Sequence, residues 1–357
     1  MVMNFSRLRS RLIFAAILAL GGLLLAFPQR AAEGFSNGLA LCLNSLLPAL
    51  FPFFVVCNLA LGLVWMPGIL KPLSRFMGFR YAEAPALLIL SWLGGYAVCA
   101  QTVSRFCKSG KMQERDGLLA LLLGCCSGPG FVIGCVGGNL LGSVRLGALL
   151  YLLQLAANFL SAALVLPFLP AYAQTSSEMS LRREEKMPLS EAISRAVDSS
   201  LCVCGCVLFF RIFYHLVLPL VPDSPVLQAF VSGSLEISAG CADFAVLGGS
   251  WSVTGVCFCL SVLSFSVFAQ IGALLDGTLP LWPLILSRAL HLFWMQGLYR
   301  LCAHFLPGCQ SVYSSLSERV IPMTRIKPDA AVVCLLFLCA VLYKVRKNFY
   351  NRSEFVE

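Results

Sequence analysis

The chain has 357 residues, of which 59% are hydrophobic and only 12% charged, where a soluble domain carries about 25% charged residues. So little charge cannot cover the surfaces of soluble domains at this length, which excludes a soluble globular protein. The net charge of +9 sits in short clusters between apolar runs, the pattern of cytoplasmic loops, and gives no basic face for nucleic acid.

In chain order, the first apolar run covers 11–27 behind Arg7, Arg9 and Arg11. The small-x-small pattern of a cleaved signal is missing after it, so it reads as an uncleaved N-terminal transmembrane helix within 1–34. A polar link at 28–37 leads to a long segment, 38–66, holding Pro48 and Pro52. Residues 67–80 read as a short interfacial helix with Lys71, Arg75 and Arg80. The run 84–107 has basic residues on both flanks and Gly94-Gly95-Tyr96 at its middle. A re-entrant hairpin turning at the glycines satisfies both flanks, and such backbone is tolerated at depth where it lines a cavity or is buried in protein.

A helix over about 118–141 follows, broken at Ser127-Gly128-Pro129-Gly130 because proline removes a donor and glycine loosens the backbone. The span 146–169 returns to the cytoplasm, completing a first repeat at 35–170, and 171–192 is a polar cytoplasmic linker. The second repeat, 193–305, starts with a span at 196–221. An ambiguous segment lies at 225–249, an interrupted run read as a second hairpin at about 252–275, and a span at 281–305. Residues 306–357 form a basic linker, a short apolar helix and a basic tail. The order of elements recurs, and Tyr96–Gln101 resembles Phe265–Gln270. The first copy starts outside and the second inside, so the fold class is an all-α polytopic membrane protein with an inverted-topology repeat and two re-entrant hairpins, the plan of many secondary transporters.

Ionisable residues within apolar segments cost on the order of 2.5–3.5 kcal/mol each at a helix centre and mark candidate sites. Arg211 and Arg288 could bind a carboxylate bidentately, or pair with Glu236 or Asp243 to hold helices together. Glu236 reads as a proton or cation site, or as a salt bridge or helix N-terminal contact. His291 shares a helical face with Arg288 and reads as a proton relay or as a packed, hydrogen-bonded histidine. Gly94, Gly95, Tyr96, Ser127 and Gly128 would offer backbone amides to an anion, and Gln101, Ser266 and Gln270 side-chain polar groups; close helix packing by small residues is the alternative. The 17 cysteines contain no CxxC pair and read as small apolar packing residues. There is no metal-site spacing, Walker loop, HExxH or GxSxG, so the expectation is a protein without cofactor, resident metal or enzymatic activity. It would be driven by H⁺ or Na⁺ coupling or by a partner, with room for a homo-oligomer.

Taken in order, Leu93-Gly94-Gly95-Tyr96 with Ala100-Gln101, Ser127-Gly128-Pro129-Gly130, Leu235-Glu236-Ile237-Ser238-Ala239-Gly240, Ser266-Val267-Phe268-Ala269-Gln270 and Ser287-Arg288 resemble the YlbJ (SpoVV) family of sporulation integral membrane proteins, which carry nucleoside-recognition gate domains. The resemblance spans about 35–305. It implies a fold related to concentrative nucleoside transporters and a role in endospore formation, moving dipicolinic acid or a similar small anion across the outer forespore membrane. It leaves two alternatives open: an ion-coupled nucleoside-like carrier, and a non-transporting scaffold for spore assembly. The chain departs from the family pattern at Cys125-Cys126, where asparagines are expected, at Phe268, where a histidine is, at Leu263-Ser264, where a glycine pair is, and at Gln101, where a lysine is common, as in a divergent member.

Overall fold

The computed structural model describes residues 2–61, 74–75, 77–81, 83–172 and 188–305. Of the interfacial helix expected over 67–80, residues 67–73 and 76 lie outside the described residues, as do the linker core and the C-terminal helix and tail. Every described element is helical: α1 (Val2–Ala26), α2 (Pro28–Leu41), α3 (Leu47–Leu61), α4 (Ala84–Lys108), α5 (Glu114–Gly124), α6 (Gly130–Leu140, wound as a π-helix), α7 (Val144–Val165), α8 (Leu189–Val217), α9 (Pro225–Leu235), α10 (Ile237–Leu247), α11 (Gly249–Val262), α12 (Ser264–Leu275) and α13 (Trp282–Phe305).

The expected polar link at 28–37 is helical instead. Pro28 stands at the first turn of α2, where a missing N–H costs nothing, and the Asn37 amide reaches His215 Nε2 at 3.2 Å. A π-helical turn, Cys42–Leu46, joins α2 to α3, with Leu47 N donating to Cys42 O. Pro48 and Pro52 explain it, since neither can donate to the carbonyl four residues back. This long rod runs antiparallel to α8: Asn58 Nδ2 donates to Ala192 O at 3.1 Å near one end. Towards the other end Gly34 lies so close that a Cβ there would stand 2.7 Å from Ile212 Cα. Small residues spaced by four, Gly34 and Gly38, allow that approach.

The two ends of α4 lie together. The rings of Tyr81, just before it, and Phe106, near its end, have centroids 5.8 Å apart, whereas a straight helix of this length would separate its ends by about 36 Å. The reversal falls at Gly95 (φ 77°, ψ −169°), a conformation essentially reserved for glycine. At the base of this hairpin Asp116 of α5 accepts from Arg80 N (3.2 Å), Tyr81 N (2.9 Å) and Tyr172 Oη (2.6 Å). Burial, with the Asp116 acceptor, pushes the Tyr172 phenol up to about 12. From there α5, the unwound residues 125–129 and α6 carry the chain away, and α7 brings it back, so that Arg115 Nη1 donates to Leu169 O at 3.1 Å.

The second half reverses elsewhere than expected. The turn lies between α9 and α10, at Glu236: Phe230 and Phe244 pair across it at 5.0 Å, and Gly233 packs on Gly240 backbone to backbone. The segment expected as a hairpin at 252–275 is a broken crossing. Gln296 Nε2 donates to Thr254 O at 2.8 Å, about 20 Å along α13 from its start, while Leu275 ends beside the base of the first hairpin, accepting from Ser104 Oγ at 3.2 Å. There Lys108 Nζ lies 2.8 Å from Asp276 and holds that exposed carboxyl below the usual carboxylate range. The break itself is Leu263 and Ser264, both with φ 64°. This shifts the helix axis without turning the chain back, because α11 already has α10 and α13 as packing partners.

Candidate functional site

At the centre the two interruptions of the first half touch. A Cβ on Gly95 would stand 2.9 Å from Gly128 N and 3.3 Å from Cys126 O, and one on Gly128 3.0 Å from Leu93 O. Side chains here would hold the hairpin tip away from the unwound segment.

Unwinding after α5 leaves its last carbonyls without helical partners, and each finds a donor. Leu121 O accepts from Cys125 N (2.9 Å) and Gly124 O from Cys126 N (3.0 Å). Leu123 O accepts from Trp92 Nε1 (2.9 Å) and Asn158 Nδ2 (3.1 Å). Leu122 O faces Arg288 Nη2 at 3.5 Å. A cation at the negative end of a helix is favourable, which accounts in part for a guanidinium only 2% exposed.

Arg288 Nη2 also donates to Asn158 Oδ1 at 2.7 Å. One turn away on α7, Gln154 clamps the unwound backbone, Nε2 donating to Ser127 O (2.9 Å) and Oε1 accepting from Ser127 N (3.3 Å). The Gln154 carbonyl meets His291 Nε2 at 3.1 Å. Thus α7 and α13 are bound by a buried polar layer that joins three expected residues, Ser127, Arg288 and His291. Its organisers, Gln154 and Asn158, are fully buried and were missed. The signal was present: two amides spaced by four on one face of the otherwise apolar run 146–169. Several atoms of the layer remain unbonded, namely Arg288 Nε and Nη1, Ser127 Oγ, Ser287 Oγ and His291 Nδ1.

A second cluster lies in front of the first hairpin. Tyr96 Oη donates to Gln270 Oε1 at 3.4 Å, and Gln270 Nε2 donates to Ser266 Oγ at 3.2 Å. Glu236, at the other hairpin tip, is near enough to interact electrostatically with Tyr96. Its own Oε2 accepts from Ala239 N at 2.7 Å, the helix N-terminal contact that was one of the two readings of this residue. Gln101 does not join Gln270; it is exposed on the second arm of α4. The hexamers Tyr96–Gln101 and Phe265–Gln270 therefore sit on unlike elements, a hairpin arm and the second half of a broken helix. Arg211 pairs with Asp243 through both nitrogens (2.8 and 3.0 Å) and with Ser232 (2.9 Å), fastening the second hairpin to α8. Among the described residues, no group of three or more His, Cys, Asp or Glu side chains could hold a metal ion.

Among the described residues, five segments are long and apolar enough to cross a membrane: Pro28–Ala60, Ala84–Lys108, Val144–Phe168, Leu189–Leu220 and Gly249–Leu275. The second of these turns back at Gly95, so it does not cross once from end to end. Helices of this composition, with charge buried between them, define a multi-pass integral membrane protein. The chain is 25% identical to the sporulation integral membrane protein YlbJ of Bacillus subtilis strain 168 over an alignment of 345 residues, covering 83% of this chain and 82% of that protein. This similarity, which runs along most of both chains, fits a divergent relative of that protein. No family model and no solved structure matches the chain.

Proposed function

We propose that this protein is a membrane transporter acting in endospore formation, moving dipicolinate or a similar small anion across the outer forespore membrane. The relative's name ties it to sporulation and to the membrane. The carrying observation is Arg288: it is buried, two of its nitrogens have no hydrogen-bond partner, and its electrostatic neighbours are the thiols of Cys99, Cys125 and Cys126 rather than a carboxylate. A packed scaffold would neutralise such a charge, since an unpaired buried cation is costly. A carrier keeps it for its ligand.

The course of the chain supports an inverted repeat related to concentrative nucleoside transporters. Each half supplies a long helix, a hairpin, a broken helix and a returning span. The partners Gln154–His291 and Asn158–Arg288 make α7 and α13 antiparallel, as such a repeat requires. Substrate binding near the midplane between hairpin tips and broken helices follows from that plan. In this reading Arg288 meets the anion, Gly94, Gly95, Ser127 and Gly128 give close backbone approach, Tyr96, Ser266 and Gln270 hold its polar groups, and Glu236 with His291 couples transport to H⁺ or Na⁺.

The test is the dipicolinate content of spores whose only copy carries Arg288→Ala, at matched protein level. Spores that lack dipicolinate while the mother cell makes it support the reading. Spores of a full deletion that fill normally refute it.

A further inference from the structure

Arg288 presents a problem of charge. Its guanidinium is oriented by Asn158 Oδ1 at 2.7 Å, a strong, charge-assisted contact. Aspartate has the same shape as asparagine and would hold the same nitrogen equally well while cancelling the charge. The chain has the neutral amide. Asn158 is fixed in its turn by donating to Leu123 O at 3.1 Å, a bond an aspartate cannot make, so the amide fits the end of α5 and the arginine together. Other polar atoms on the same elements are left over as well. Arg288 Nε and Nη1, Ser287 Oγ, His291 Nδ1 one turn on along α13, and Ser127 Oγ on the unwound segment clamped by Gln154 are all buried and unbonded. Buried polar atoms without partners are rare in native proteins, and the two guanidinium nitrogens among them can only donate, so this cation calls for an acceptor carrying negative charge.

We infer that Asn158 sets the charge selectivity of the site: it positions Arg288 without neutralising it, leaving Nε–H and Nη1–H, on different edges of the guanidinium, to donate to separate acceptor oxygens of an anionic ligand, with the Ser127 and Ser287 hydroxyls as further donors. The inference rests on the transport reading for its ligand and deepens it by assigning the discrimination of a carboxylate from a neutral nucleoside to a named residue. Asn158 is a positioning residue here, and Gln154 has the same part for Ser127.

The experiment uses the purified full-length chain in detergent, with thermal unfolding read in the presence of dipicolinate, picolinate, benzoate or uridine, beside uptake of labelled dipicolinate into liposomes. Carboxylates should raise the melting temperature of the wild type and uridine should not. Asn158→Asp gives Arg288 a counter-ion but loses the bond to Leu123 O; where it folds, it should bind carboxylates at least about tenfold more weakly, the order expected for one charge-assisted contact. Arg288→Gln, which keeps a donor and removes the charge, should lose the same response and serves if the aspartate variant does not fold. If Asn158→Asp folds and responds to carboxylates like the wild type, the inference is wrong. It is also wrong if no carboxylate stabilises the wild type, whatever uptake shows. If picolinate or benzoate stabilises the wild type but not the variants while dipicolinate is not taken up, the site stands and the transport reading falls.

Discussion

The contact between the first hairpin tip and the unwound segment can be tested through Gly95→Ala. Two costs add. The backbone at Gly95 (φ 77°, ψ −169°) lies where only glycine is at ease, and forcing alanine there costs about 1–3 kcal/mol. The new Cβ would also stand 2.9 Å from Gly128 N and 3.3 Å from Cys126 O; these are backbone atoms that cannot swing aside, and overpacking of this kind costs about 1–3 kcal/mol. The expected loss is therefore about 2–6 kcal/mol, a large part of the roughly 5–15 kcal/mol that holds a typical protein folded. Gly128→Ala isolates the steric part, for its φ is not positive and its Cβ would meet Leu93 O at 3.0 Å. Gly134→Ala, in α6 with nothing within 4 Å, should be neutral or gain up to about 1 kcal/mol. Thermal unfolding of the three variants in one detergent, followed by tryptophan fluorescence, gives the order: Gly95→Ala lowest, Gly128→Ala between, Gly134→Ala at or above wild type. If Gly95→Ala unfolds with Gly134→Ala, the hairpin tip is not seated on the unwound segment and the account of the site fails.

Ser264 has the opposite expectation, since it holds φ 64° with a side chain and its hydroxyl makes only a 3.5 Å contact with Val267 N; Ser264→Gly should stabilise by about 1 kcal/mol, and a lower melting temperature would refute the assigned backbone. Arg211→Ala and Asp243→Ala should each cost about 1–3 kcal/mol for a partly buried, two-point pair, and the double variant less than their sum, as a double-mutant cycle on melting data would show. In a background with the other cysteines replaced, cysteines at positions 81 and 106 should be joined by a short bifunctional reagent; if only reagents spanning tens of ångströms join them, α4 is straight. For Tyr172, the folded value of about 12 exceeds the ordinary value near 10. Burial, together with the bond to Asp116, favours the protonated phenol; this contribution is fully present below about pH 10 and is lost as pH rises through about 12, so Tyr172→Phe should remove that alkaline part of the stability profile, read by tyrosinate absorbance and melting.

The sequence by itself determined the class and much of the plan. Sparse charge and long apolar runs mean a bilayer, whose demand for internally satisfied backbone leaves helices as the solution here. The break at 125–129 and the turn at Gly94-Gly95 were legible because proline and glycine act locally. Tertiary structure decided the rest. The second reversal falls at Glu236 rather than within 252–275, since Leu263 and Ser264 carry no breaker signal and their left-handed conformation is imposed by packing. The link 28–37 is helical because Gly34 packs against α8 and Asn37 reaches His215 on it, a partner more than 150 positions away in the chain. Arg211 and Arg288 read alike in sequence, each a cation in an apolar run. Only the fold gives one a carboxylate, Asp243, and the other an amide, Asn158, because the partner that sets a buried charge is chosen by helix packing across long sequence separation.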